Sequence, residues 1–171
     1  MEGMPKRKPT RMQGANYSDA GAYFVTICTQ NRQKILSTVG AIHESPEITL
    51  TKYGEIVRRV INEIPARFGV YIVGHVIMPN HIHLLILLTD EPRLRSIRES
   101  TLQNRSVISK IVGYLKMNSS KEINARYGHM TLWQRGFYDH IIRSREDYEE
   151  HLLYIHENPM KWAFDELYTD E

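Results

Sequence analysis

Residues 81–88 read His-Ile-His-Leu-Leu-Ile-Leu-Leu, preceded by Met78-Pro79-Asn80 and closed by Asp90. An apolar run of this length is too short to cross a membrane. It fits a central strand covered on both faces, so the chain must supply neighbouring strands and further layers around it. Strand side chains alternate, which places His81 and His83 on the same face. Two imidazoles at the start of a buried strand are costly unless their nitrogens are used. A divalent metal would use them, and so would hydrogen bonds to carbonyls or water. This stretch alone leaves both readings open.

The rest of the composition narrows the class. With 171 residues the chain can bury the core of one domain. No run reaches the ~20 apolar residues of a membrane helix, and no apolar segment follows the basic N-terminus as it would in a secretory signal. Cys28 is the only cysteine, so an intrachain disulfide is excluded. A cytoplasmic protein is the expectation. The formal net charge of +2 means that nucleic-acid binding has to come from local clusters. One such cluster is Lys6, Arg7, Lys8 and Arg11, set against Glu2. Residues 1–16 are expected to be a flexible basic arm and residues 17–171 a single domain.

Tyr23–Thr29 is rich in β-formers and predicts the first strand. Ile35-Leu36 and Ile48-Thr49-Leu50 are expected to pair as a short hairpin. Thr51 predicts a helix N-cap, and Ile56, Val57, Val60, Ile61 and Ile64 recur at helical spacing through 52–66. A second strand over 70–78 turns through Pro79-Asn80 into the His81 strand, so these two should be antiparallel neighbours. A polar loop with Arg93, Arg95 and Arg105 leads to a helix over 107–126, ended by Gly128. The segment from Leu132 to Arg143 ends in a fourth core strand. Ser144 caps a last helix, with Asp147 in its first turn, and Pro159 ends it. The order is β-α-β-β-α-β-α: an α+β fold with an antiparallel sheet and helices packed mainly on one face.

On the last helix Asp147, His151, Tyr154 and Asn158 share one face, beside an apolar stripe of Tyr148, Leu152, Ile155 and Pro159. Tyr154 sits at the border of that stripe and Asn158 one turn further on. An amide oxygen is a reasonable third ligand for an oxygen-preferring cation, although a Tyr–Asn pair at this spacing is usually only surface.

Taken together, Tyr23-Phe24-Val25-Thr26-Ile27-Cys28, Met78-Pro79-Asn80-His81-Ile82-His83, Trp133-Gln134, His140-Ile141-Ile142-Arg143, Tyr154 and Asn158-Pro159 carry a resemblance. The chain resembles the single-tyrosine HUH transposases, in particular the REP-associated tyrosine transposases related to the IS200/IS605 family, from about residue 17 to 162. The resemblance implies a ferredoxin-like HUH fold. It also implies that His81 and His83 are metal ligands, that Tyr154 is the nucleophile, and that Asn158 completes the metal site where relatives often carry Gln. Tyr138, beside His140, is the rival nucleophile.

The activity so implied is nicking and rejoining of single-stranded DNA next to a hairpin through a 5′-phosphotyrosine. Chemistry alone would suggest Mn²⁺ or Zn²⁺ for a two-histidine site; the resemblance implies Mg²⁺ or Mn²⁺. Lys6, Arg7, Lys8, Arg11, Arg93, Arg95, Arg105, Arg135 and Arg143 are the expected DNA contacts. The resemblance admits both a homodimer and a monomer. Two other classes stay open at this point: a cleavage-inactive DNA-binding protein on the same fold, and a metal-dependent hydrolase.

Overall fold

A four-stranded antiparallel sheet organises the molecule, with Tyr71–Ile77, His81–Leu88, Gly21–Cys28 and Tyr138–Ile142 as neighbours in that order. Its strands are β1 (Gly21–Cys28), β4 (Tyr71–Ile77), β5 (His81–Leu88) and β6 (Tyr138–Ile142). The computed structural model describes residues 20–40, 47–91, 96, 106–162 and 167–168. Strands β2 (Ser37–Val39) and β3 (Ile48–Leu50) form a separate hairpin. The helices are α1 (Lys52–Phe68), α2 (Val107–Tyr127) and α3 (Arg145–Glu157). Among the described residues no helix is long and apolar enough to cross a membrane.

The two most apolar strands are central, because only they are covered on both faces. Tyr23, Val25 and Ile27 of β1 join Ile82, Leu84 and Ile86 of β5 in one core with the apolar stripes of α1 and α2. On the opposite face Phe24, Val76 and Leu85 meet Ile155 of α3. Two helices thus cover one face and α3 the other. Leu152 is 37% exposed, so α3 docks through a narrower stripe than its sequence suggests, with Ile155 its one buried residue.

The helix boundaries follow from their caps. Thr51 Oγ1 accepts the N–H groups of Tyr53 and Gly54, and Gly69 closes α1 in the left-handed region, φ 60°. Ser144 Oγ accepts the N–H of Asp147. The Asp147 carboxylate reaches back to the N–H of Arg143, one residue before the cap.

Two local expectations are corrected. The hairpin pairs Ser37–Val39, not Ile35-Leu36, with Ile48–Leu50. Leu36 is committed elsewhere: its N–H donates to the Pro79 carbonyl, and its carbonyl accepts from Thr51 N. Strand β4 carries a register shift between Ile72 and Gly74. A Cβ on Gly74 would meet Leu152 Cδ1 at 3.3 Å and Ile155 Cδ1 at 3.5 Å, so the missing side chain lets α3 sit close to the strand.

The Trp133-Gln134 segment runs alongside the end of β1. Thr29 bridges Trp133, and Gln134 N donates to the Cys28 carbonyl. The indole of Trp133 donates to Ser119 Oγ of α2 at 2.9 Å. Lys116 Nζ, from the same helix, donates to the carbonyls of Gln134 and Gly136. Its burial pulls its pKa down to about 8.

Candidate active site

The α3-facing side of the sheet carries the chemistry. Cross-strand pairing sets Cys28 opposite His81 and Thr26 opposite His83. His81 and His83 are almost completely buried, and their ring centroids lie 4.5 Å apart. Each ring is anchored through Nδ1. His81 Nδ1 is 2.8 Å from Asn80 Oδ1, and His83 Nδ1 is 2.8 Å from Thr26 Oγ1.

The Asn80 contact fixes a tautomer. Asn80 Nδ2 donates to the Leu167 carbonyl at 2.7 Å, so its oxygen faces His81. An amide oxygen can only accept, so His81 Nδ1 carries a proton and any metal would be bound through Nε2. Anchoring one imidazole nitrogen while presenting the other is how protein metal ligands are oriented.

His83 Nε2 is buried and makes no hydrogen bond among the described residues. Burial, then the imidazoles of His81 and His151, hold the His83 pKa well below the ordinary histidine value, so the ring is neutral at pH 7. A buried, neutral imidazole with an unused nitrogen suits a metal ion.

Tyr154 comes to this place from α3. Its ring meets His83 edge-on at 5.2 Å, and Phe24 packs beside both, 5.0 Å from His83 and 6.0 Å from Tyr154. Tyr154 remains 39% exposed. Asn158, one turn further on, is buried at the C-cap of α3, with its N–H on the Tyr154 carbonyl. Trp162 lies 5.9 Å from His81.

An open cleft of about 690 Å³ passes these groups; Thr26, His83, His151, Tyr154, Arg32 and Lys161 line it. Tyr138 lines it too, at the position of β6 that pairs with Thr26. Arg32 reaches the cleft from a short turn in which Asn31 and Arg32 both have φ near +50° (52° and 53°). Next to the cleft, His140, Asp147 and His151 form a His/Asp cluster with metal-ligating atoms.

The sequence placed His81, His83, Tyr154 and Asn158 on elements that the fold sets on one sheet face. Of the expected DNA contacts, Arg135 and Arg143 are exposed on the β6 segment. Lys6, Arg7, Lys8, Arg11, Arg93, Arg95 and Arg105 lie outside the described residues. Sequence reasoning gave no role to Asn80, Thr26 or Arg32. Asn80 directly precedes His81, which was a usable signal; Thr26 and Arg32 depend on strand register and a turn.

The family model described as "Transposase IS200 like" matches residues 17–158. The chain belongs to the IS200-like transposase family. Members are tyrosine transposases, enzymes that depend in general on a metal ion, and the His81/His83 donor set fits such an ion. An uncharacterized protein of Haemophilus influenzae is 29% identical over 98% of this IS200-like chain and 96% of its own length. A putative REP-associated tyrosine transposase of the same organism is 28% identical over 91% of the chain and 79% of its own length. The REP-associated tyrosine transposase of Escherichia coli is 24% identical over 90% of the chain and 81% of its own length.

Among solved structures, a REP-associated tyrosine transposase bound to a REP hairpin superposes with a TM-score of 0.61 at 20% identity. That match covers 91% of this chain and 76% of the other. A putative transposase from Deinococcus radiodurans R1 matches with a TM-score of 0.50 at 18% identity, covering 86% and 97%. At these identities the two structures speak to the fold, which is that of the transposases.

Proposed function

We propose that this transposase nicks and rejoins single-stranded DNA beside a hairpin, with Tyr154 as the nucleophile. The observation that carries the reading is the placement of the Tyr154 ring 5.2 Å from His83, whose own ring is 4.5 Å from His81. A phosphotyrosine-forming side chain and a two-imidazole donor set then meet on one sheet face. The REP hairpin bound by the structural relative supports the hairpin substrate.

His81, His83 and the amide oxygen of Asn158 would hold a divalent ion, Mg²⁺ or Mn²⁺. When bound, such an ion withdraws charge from the scissile phosphate and its leaving oxygen. Tyr154 supplies the attacking oxygen. A phenol with a pKa near ~10 is a weak nucleophile at neutral pH, so its fixed position on a helix beside the phosphate site contributes much of the advantage. A bond forms between the Tyr154 oxygen and phosphorus while the bond to the 3′ oxygen breaks, giving a 5′-phosphotyrosine and a 3′-OH. The phosphodiester is conserved in the protein–DNA bond, so attack by a 3′-OH reverses the step and joins strands without a nucleotide cofactor. Arg32 and Lys161, both lining the cleft, offer positive charge to the backbone phosphates, and the exposed ring of Tyr138 offers a face for a base.

Incubation with a single-stranded oligonucleotide carrying a hairpin, followed by denaturing electrophoresis, tests the reading. The expected result is a covalent protein–DNA band that EDTA abolishes and Mg²⁺ or Mn²⁺ restores. Hairpin binding with no adduct would identify a cleavage-inactive binding protein. Cleavage without an adduct would identify a hydrolase.

A further inference from the structure

On the same sheet face, at its β6 edge, three side chains converge that the reaction above does not use. His140 Nε2 lies 3.0 and 2.9 Å from the two carboxylate oxygens of Asp147. His151 Nδ1 lies 3.0 Å from Asp147 Oδ1 and 2.8 Å from the Asp147 carbonyl. The two imidazoles stack almost in parallel, with centroids 4.8 Å apart and planes 11° from one another. Asp147 and His151 occupy successive turns of α3, and His140 comes from β6, so two elements supply the donors.

We propose that His140, Asp147 and His151 form a second metal site, distinct from the His81/His83 pair and selective for a borderline divalent ion such as Zn²⁺, which clamps β6 to α3. Two imidazoles and one carboxylate make a nitrogen-rich set that suits Zn²⁺ and its neighbours and disfavours Mg²⁺, which prefers oxygen and retains water. A tetrahedral ion with bonds of about 2.0–2.1 Å holds its donors roughly 3.3 Å apart. The donor atoms here all lie within 4.8 Å of one another, and Asp147 is already 2.9 to 3.0 Å from each ring. Ring rotations that take His151 Nδ1 off the Asp147 carbonyl would bring the donors to that spacing with the backbone in place.

The carboxylate is prepared as a ligand. Burial works against its charge, but the hydrogen bonds from His140 and from the Arg143 N–H prevail and hold Asp147 below the usual carboxylate range. The Arg143 N–H at 3.0 Å also fixes its direction, as outer partners of metal-bound carboxylates do. The His140 side chain is 50% exposed, which leaves the remaining coordination position to solvent. Tyr154 follows His151 by three residues, so an ion here fastens the N-terminal half of the helix that carries the nucleophile.

Zn²⁺ titration calorimetry and thermal melts on the full chain test the proposal. The His81→Ala/His83→Ala chain removes the first pair and should still take up one Zn²⁺ per chain, with a raised Tm. Adding His140→Ala, or His140→Gln if the alanine chain folds poorly, should weaken that uptake at least tenfold and abolish the rise in Tm. Mg²⁺ at the same concentration should do neither. Three results would overturn the proposal: no Zn²⁺ uptake by the His81→Ala/His83→Ala chain, unchanged uptake once His140 is also replaced, or an equal response to Mg²⁺.

Discussion

Asn80 and Thr26 decide which nitrogen each catalytic-face histidine presents, and neither would bind an ion itself. Removing such an outer partner typically weakens metal affinity about 10- to 100-fold. Thr26→Val, which keeps the branched shape and deletes the hydroxyl, and Asn80→Ala should each weaken Mn²⁺ binding by that factor, measured by calorimetry. His83 makes a second prediction. Its folded pKa is depressed, by burial first and by His81 and His151 after it. Below the unfolded value near ~6.5 the unfolded chain therefore takes up a proton that the folded chain refuses. Stability should fall as pH drops from ~6.5 toward the depressed value. Denaturant midpoints of His83→Gln, measured against pH, should fall less steeply than those of the wild type over that window. The His-x-His pair was legible because alternation puts both rings on one face. Thr26 was not, since its partnership with His83 exists only through the register of β1 against β5.

Elements rather than residues govern how that face is assembled. Helix α1 starts where Leu36 and Thr51 share their backbone hydrogen bonds, and Gly54 lies directly under the Leu36 carbonyl. A Cβ at Gly54 would lie 2.1 Å from that oxygen. Backbone cannot yield cheaply, so Gly54→Ala should destabilise the chain by about 1–3 kcal/mol despite the better helix propensity of alanine. Thr51→Ala, which only deletes the cap, should cost about 1 kcal/mol. Urea denaturation of both variants checks the order. Helix starts, helix ends and the central strands were readable from period, capping residues and glycines. The hairpin slipped by two residues because Leu36 pairs outside it. The shift at Ile72/Gly74 had an unused signal in the sequence, since a glycine inside a strand pattern marks a bulge or a close approach. The Asp147–His151 spacing was visible on the helix, but its meeting with His140 required β6 to lie beside the start of α3.

For the whole molecule, the sheet joins a pre-formed donor set to a tyrosine on a separate helix, and charged segments are expected to bring DNA to it. We propose that residues 1–16 act as a basic arm on the 17–171 domain. Deleting them should leave Tm nearly unchanged, weaken hairpin binding, and flatten log affinity against log salt by roughly 0.7 per lost single-strand phosphate contact. An unchanged slope would show that the arm makes no phosphate contact. The central claim concerns which side chain joins the DNA, since Tyr138 and Tyr154 line the same cleft. Tyr154→Phe keeps the ring against His83 and removes only the oxygen proposed to attack, so adduct yield should fall by about 10³-fold or more, with hairpin binding retained. The most direct measurement is denaturing electrophoresis of the hairpin substrate with wild type, Tyr154→Phe and Tyr138→Phe, followed by mass spectrometry of the DNA-bound peptide. The account predicts an adduct in wild type and Tyr138→Phe, mapped to Tyr154, and none in Tyr154→Phe; an adduct that persists in Tyr154→Phe and is lost in Tyr138→Phe would contradict it.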